Sequence, residues 1–209
     1  MMYLIFIATA INIVLPDTLP FFTLDWQHNA GVWGIEVRNH TGKVRFEIIV
    51  NDSTGDELGW GISQLLELHG DTFIPAERLE PEELEYDATL TYLAPGKYQL
   101  CVKLLDETHE IVTTTKKTVY IRQPHVWIDS IIQRNSKVYV SWSCEVDSLP
   151  EGLLYSLQVI GYRDTLVFET TYPEYELYLD PGKYGVKVAI IDMWDKVLGE
   201  SAIEHLEIK

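Results

Sequence analysis

With two cysteines in 209 residues, this chain has no disulfide framework to hold a small core together. Cys101 and Cys144 fall in different halves, which excludes the bridge internal to one domain that antibody-type sandwiches use. A bridge between the halves needs Cα atoms within ~7 Å, so both thiols are expected free, with Cys144 the more buried. Basic residues are also scarce. Lys and Arg number 16 against 32 Asp and Glu, a formal net charge of −16, and no Lys/Arg cluster offsets it locally. Such a surface repels phosphate backbones, so no nucleic-acid partner is expected, while the acidity keeps a strand-rich protein soluble. No apolar run reaches the ~20 residues a membrane helix needs, and no stable membrane span is expected after processing.

Motifs of metal and catalytic chemistry are missing too. The histidines, His28, His40, His69, His109, His125 and His205, have no metal-ligand spacing with one another or with the cysteines, so no metal site is expected. There is no Gly-x-Ser-x-Gly elbow. Gly59-Trp-Gly61 lacks the lysine and the strand-to-helix setting of a phosphate loop. No catalytic residue stands out, and neither an enzymatic activity nor a cofactor is expected.

What the chain does have is strand chemistry, and it has it twice. Twelve tyrosines and six tryptophans, with many Val, Ile and Thr, favour β-structure. The phrase Leu93-Ala-Pro-Gly-Lys-Tyr98 returns 86 positions later as Leu179-Asp-Pro-Gly-Lys-Tyr184. Each copy runs into an alternating apolar strand and then an aspartate, Asp106 or Asp192, eight residues past the tyrosine. Self-similarity at that spacing implies two domains of similar build, residues 21–122 and 123–209, each the size of one β-sandwich. Gln123-Pro-His125 reads as a short linker.

The N-terminal segment Tyr3–Leu15 is almost wholly apolar and is followed by Pro16, Asp17 and Pro20. Its length suits the core of a secretory signal, so residues 1–20 are read as a signal peptide, against the alternative of a buried first strand. In domain one, Val32–Arg38 and Lys43–Val50 read as strands joined by a turn at Asn39-His-Thr-Gly42. Residues 56–90 read as a long irregular segment broken by Gly59, Gly61 and Gly70, with one helical turn at Glu80–Leu84 and a strand from Thr89 into the first repeat phrase. Domain two reads as seven strands in about 85 residues, the pattern of an immunoglobulin-like sandwich.

Here a resemblance enters. Val138-Tyr-Val-Ser-Trp142 resembles the second strand of fibronectin type III domains, and Leu179 to Val188 resembles that family's tyrosine corner, with Leu179, Tyr184, Val186 and Val188 in its inward positions. Ser201 matches the family's run-out. The first domain shares the corner, Leu93 and Tyr98, but has no tryptophan matching Trp142; it is similar to variant immunoglobulin-like domains of bacterial surface and secreted proteins. The resemblance implies an all-β protein of two tandem sandwiches after an apolar N-terminal segment. Such scaffolds serve adhesion, enzyme accessory modules and filaments.

Three features bear on binding. The acids from Glu77 to Asp87 are dense, but the Asp-x-Asp-x-Asp-Gly order of a calcium loop is absent, and a solvated face accounts for them. Trp26, Trp33, Trp60, Tyr86 and Tyr92 supply aromatic rings; most belong to the core, and Trp60, Tyr86 and Tyr92 are the candidates for a sugar-stacking platform. Asn39 and Asn51 open Asn-x-Ser/Thr tripeptides in turns. The expectation is an exported, non-enzymatic binding or structural module, secreted or at the cell envelope, whose partner is a protein or a surface glycan met through residues 56–90. The alternatives are a carbohydrate-binding accessory module centred on Trp60, and a filament subunit that donates its apolar N-terminal segment as a strand.

Overall fold

In a computed structural model, residues 8–24, 33–87, 92–146 and 149–209 are described. Trp26, His28 and the strand start at 89–91 lie outside them. The chain divides into two compact units, Met1–Arg122 and Gln123–Lys209. Both are all-β.

The first unit is organised by one long strand. Its elements are β1 (Ala10–Val14), β2 (Thr18–Leu19), β3 (Gly34–Asn51), β4 (Glu57–Ser63), β5 (Leu66–Pro75), β6 (Pro81–Tyr86), β7 (Gly96–Asp106) and β8 (Ile111–Ile121). They hydrogen-bond as one sheet in the order β2-β8-β7-β3-β4-β6, with β1 and β5 also paired to β3. The N-terminal half of β3 pairs with β1 and β5, and the C-terminal half with β4 and β7. The expected turn at residues 39–42 is therefore a bulge inside a continuous strand. Sequence shows why a break is needed there. Core-facing residues are odd before it (Trp33, Ile35, Val37) and even after it (Val44, Phe46, Ile48, Val50). A strand alternates with period two, so switching parity without leaving the core requires an inserted kink. Asn39 at φ 57° and Gly42 at φ 129° provide it, and Asp71 accepts the Asn39 N–H at 2.8 Å.

Residues 56–90 also differ from expectation. The segment is mostly strand, β4, β5 and β6, with a 3-10 turn at Ala76–Arg78 rather than at Glu80–Leu84. Gly59 and Gly61 are strand positions, and a Cβ on Gly59 would come within 2.8 Å of the Tyr86 Cβ across the pair. Gly59 permits close strand approach, and neither glycine breaks the element. The acids Glu82, Glu83 and Glu85 lie along edge strand β6, where charge discourages further pairing, and Glu82 forms an ion pair with Arg45.

Part of the segment read as a signal peptide is built into this unit. Ile13, Leu15 and Leu19 are in the core cluster, β1 pairs with β3 from Ala10↔Arg38 to Val14↔Gly34, and β2 runs parallel to the end of β8. Lys117 donates to the Leu15 carbonyl and pairs with Asp17 at 3.1 Å.

The second unit comprises β9 (Val126–Arg134), β10 (Lys137–Cys144), β11 (Leu153–Ile160), β12 (Thr165–Thr170), β13 (Glu174–Tyr178), β14 (Gly182–Asp192), β15 (Val197–Glu200) and β16 (Glu204–Ile208). Sheet β13-β10-β9 faces sheet β12-β11-β14-β15/β16, a fibronectin type III-like sandwich. Trp142 is buried beside Tyr155, their rings 5.5 Å apart and edge to face. The last strand of the sequence reading, residues 202–209, is β16; β15 before it is an additional strand, and Ser201 parts the two. The Ser201 hydroxyl accepts the Val188 N–H at 3.0 Å and donates to the Ala202 carbonyl. Ser63 does the same between β4 and β5, accepting the Phe46 N–H at 2.9 Å and donating to the Gln64 carbonyl.

The repeat phrase has a structural meaning at both ends. Tyr98 donates its hydroxyl proton to the Ala94 carbonyl at 2.7 Å, and Tyr184 donates to the Asp180 carbonyl at 2.9 Å. Leu93 and Leu179 are buried beneath these corners. At the far end, Asp106 closes the β7–β8 hairpin, its Oδ1 accepting the Thr108 and Glu110 N–H groups at 2.8 and 3.0 Å. Asp192 closes the β14–β15 hairpin on Trp194 and Lys196 in the same way, and Asp52 repeats it between β3 and β4. Each turn needs positive φ at its fourth residue, met by Gly55 (97°), His109 (67°) and Asp195 (59°).

Both cysteines are free, but Cys101 is the buried one and Cys144 is half-buried. Cys101 lies on a central strand between β3 and β8, whereas Cys144 ends β10 beside a loop.

Candidate binding surfaces

β10 alternates strictly, so Val138, Val140 and Trp142 point into the core and Lys137, Tyr139 and Ser141 point out. Its neighbours complete three rows on the outer face. Arg134, Lys137 and Tyr178 form the first; Ile132, Tyr139 and Glu176 the second; Ser130, Ser141 and Glu174 the third. Apart from Lys137 and Tyr178, which stand beside it, these residues line, with Thr170 and Tyr172, a shallow groove of about 670 Å³.

The groove is held by its own contacts. Lys137 Nζ lies 2.6 Å from Glu176 Oε1 and over the Tyr139 and Tyr178 rings at 5.1 and 5.8 Å. The hydrogen bond from Lys137, and then that of Tyr139, holds the Glu176 carboxyl below its ordinary range. The same bond to Glu176, then Tyr139, raises the Lys137 ammonium. Ser130 and Ser141 hydroxyls meet at 2.9 Å. Two cations, Arg134 and Lys137, balance two carboxylates, Glu174 and Glu176, so this patch is locally neutral on an acidic protein. The surface combines apolar and aromatic area with hydroxyls and balanced charge, which is recognition chemistry.

A second depression, of about 720 Å³, lies at the end of β10. There Cys144 Sγ stands 3.2 Å from the Tyr155 hydroxyl and 3.2 Å from the Val146 carbonyl. Burial, and then the Cys144 contact, pushes the Tyr155 phenol up, so it stays protonated near neutrality. Among the described residues no group of three or more His, Cys, Asp or Glu is arranged to hold a metal ion.

The structure does not bring Trp60, Tyr86 and Tyr92 together. Trp60 pairs with Glu85 across β4 and β6 and donates its indole N–H to Glu85 Oε2 at 3.2 Å. Tyr86 opposes Gly59 on the other face and packs against the core. Tyr92 is buried, edge-on to Phe21 at 6.4 Å. The separation follows from strand alternation: adjacent positions 59 and 60, and likewise 85 and 86, point to opposite faces. The groove on β9, β10 and β13 escaped sequence reasoning because its residues come from three strands spread over residues 130–176. The odd-numbered residues of β10 were its only local signal.

No family model matches the chain, and no curated protein matches it. Solved structures do. The chain is similar to the FN1–FN3 domains of chicken CNTN1 at 11% identity and a TM-score of 0.36, covering 85% of this chain and 61% of that one. It is similar to a chain of a cytokine receptor complex at 14% identity and a TM-score of 0.33, covering 95% and 96% of the two chains. It is also similar to a two-domain fibronectin type III segment from chicken tenascin at 12% identity and a TM-score of 0.34, covering 83% and 91%. The chain thus spans about three fifths of the first of these.

Proposed function

We propose that the protein is a non-enzymatic binding or structural module that acts in adhesion or assembly outside the cytoplasm, with a protein as its partner. The observation that carries this reading is the neutral, aromatic-lined groove on the outer face of β9, β10 and β13. The rest of the protein is acidic enough to repel most acidic partners, whereas this patch offers Tyr139, Ile132 and Tyr172 beside paired cations and carboxylates. The reading moves the binding surface away from residues 56–90, whose described part, 56–87, is mostly strand. Export is supported by the apolar run Tyr3–Leu15. The burial of Ile13, Leu15 and Leu19 supports retention of the chain from about Ala10 onward.

The test is site-specific photo-crosslinking in the native host. A photoreactive residue at Tyr139 is expected to give one discrete adduct in the envelope or extracellular fraction, absent with the same residue at Glu107 and lost on Ile132→Glu. Equal labelling at the two positions would end the reading.

A glycan-binding reading retains one supporting observation, the half-exposed Trp60 ring on the outer face of β4. Retention on insoluble polysaccharide that Trp60→Ala abolishes would favour it; no retention on any glycan would remove it. In the filament reading, the N-terminal strand would leave its own β3 for that of a neighbour.

A further inference from the structure

The groove on β9, β10 and β13 is neutral in sum, but its charges are unevenly compensated. Lys137 and Glu176 pair with each other at 2.6 Å. Arg134 and Glu174 are both exposed, and neither has an ion pair or hydrogen bond among the described residues. Register fixes where these two stand. Arg134 on β9 lies opposite Lys137, and Glu174 on β13 lies opposite Ser141, with Tyr139 between those two positions on the central strand β10. The free cation and the free carboxylate therefore hold opposite corners of the three rows, and Tyr139 holds the centre. Four residues at about 3.4 Å along the strand and two strand spacings of about 4.8 Å put the two Cα atoms about 17 Å apart.

Between the corners the lining is apolar and aromatic, from Ile132, Tyr139 and, beside Glu174, Tyr172. The Ser130 and Ser141 hydroxyls share one hydrogen bond at 2.9 Å, which leaves one of their two protons to donate outward. The backbone of β10 is paired on both sides, so no strand can add to the sheet through it and recognition falls to side chains.

Resting on the groove as the binding surface, we propose that it takes a proline-rich segment of the partner in the polyproline II conformation, with an acidic side chain on Arg134 and a basic one on Glu174, six residues apart. Polyproline II has three residues per turn and rises about 3.1 Å per residue, so positions i, i+3 and i+6 share a face and span about 19 Å. That matches the diagonal within the reach of an arginine and a glutamate side chain. Position i+3 then rests on the Tyr139 ring, where a proline supplies apolar contact. A β-strand laid on this face would need partners for its backbone N–H groups, which the face does not offer. A polyproline II backbone stays solvated, and its carbonyls accept from Ser130 or Ser141. A proline run already holds this conformation, so docking costs little ordering entropy. Charge adds selectivity. The protein's net charge of −16 attracts any cationic segment, whereas a segment with one charge of each sign is favoured only where a free cation and a free carboxylate stand at its spacing.

Isothermal titration calorimetry of the full chain with acetyl-Glu-Pro-Pro-Pro-Pro-Pro-Lys-amide tests the assignment. A dissociation constant on the order of 100 µM is expected, with the glutamine-ended neutral peptide of the same length weaker by at least about fivefold. Arg134→Glu is expected to weaken the charged peptide by at least about tenfold. Arg134→Glu together with Glu174→Arg should restore it, the peptide reversed, because the charge spacing is the same read in either direction. Melting temperatures should not change, since both side chains are exposed and unpaired. No heat of binding at about 1 mM peptide, or equal binding of the neutral peptide, overturns the proposal. Competition against the photo-crosslinked adduct at Tyr139 separates this from the broader reading. An adduct that the peptide does not displace overturns the proline-rich ligand and leaves the groove as the binding surface. Peptide binding without any cellular adduct supports the ligand class and removes the protein partner.

Discussion

Deleting residues 1–20 tests how deeply the N-terminal segment belongs to the fold. The deletion removes β1 and β2, and with them Ile13, Leu15 and Leu19, each no more than 5% exposed. At roughly 1.5–3 kcal/mol per fully buried aliphatic side chain, the lost burial amounts to about 5–9 kcal/mol. The N-terminal half of β3 also loses one of its two strand partners, and the Lys117 ammonium loses the Leu15 carbonyl and Asp17. A whole domain is usually stable by only about 5–15 kcal/mol, so the deletion removes most or all of the first unit's margin. Hydrogen exchange read by mass spectrometry on the full chain is the suitable assay, because peptides from β10 and β11 serve as an internal reference. Amides of β3 and β7 are expected to exchange at rates near those of an unfolded chain, while the reference peptides stay protected. A control deletion ending before Ala10 should leave both protected. If the chain lacking residues 1–20 keeps full protection in β3 and β7, the reasoning is wrong and the segment is dispensable, as a cleaved signal peptide would be.

Other consequences follow from single contacts. Ser63→Ala leaves the buried Phe46 N–H without its acceptor and is expected to cost about 1–3 kcal/mol in urea unfolding, with Ser201→Ala comparable through Val188. Tyr98→Phe and Tyr184→Phe remove one hydroxyl bond each, for about 0.5–1.5 kcal/mol. Deleting Asn39 removes the parity switch in β3 and turns either Trp33–Val37 or Val44–Val50 outward; soluble expression should fail, whereas Asn39→Gly should be tolerated. Acid should loosen the hairpins at Asp52 and Asp106. The side-chain bonds from Thr54 and Thr108, the largest influences, hold their carboxyls below the ordinary value of 3.8, so their contribution is complete above that pH. It is lost as pH falls through the depressed folded values. Asp106→Asn should remove that part of the acid sensitivity in a pH titration of stability; an unchanged acid limb would count against the assignment.

Much of the fold was legible because the deciding signals are local. The Pro-Gly-Lys-Tyr phrase carries its own turn, its own inward ring and its own acceptor four residues back, so both corners could be placed before any tertiary contact was known. The strands of the second unit alternate cleanly, so their sequence reading agrees with the structure to within a few residues at the ends, except that it lacks the four-residue β15. The first unit was harder, since the same signals serve two readings. Asn39 and Gly42 suit a turn and a bulge equally, and only the change of parity between Val37 and Val44 distinguishes them. Gly59 and Gly61 read as breakers where both are strand positions inside β4, Gly59 at a close approach to Tyr86. The aromatic candidates failed to converge because proximity in sequence says nothing of which face of a sheet each ring takes.

The chain's own order of residues determines that this is an all-β protein of two units, where the paired tyrosine corners stand, and that no disulfide framework braces it. Each of these depends on composition or on interactions within a few residues. Tertiary structure alone decided that residues 10–19 complete the first core, that β3 runs through its bulge to pair on both halves, and that Arg134, Tyr139 and Glu174 share one groove. Those outcomes depend on which distant strand occupies a free edge. An apolar segment has the same sequence whether a membrane, a signal-recognition machinery or its own β3 receives it, and only the geometry of the receiving edge makes the choice.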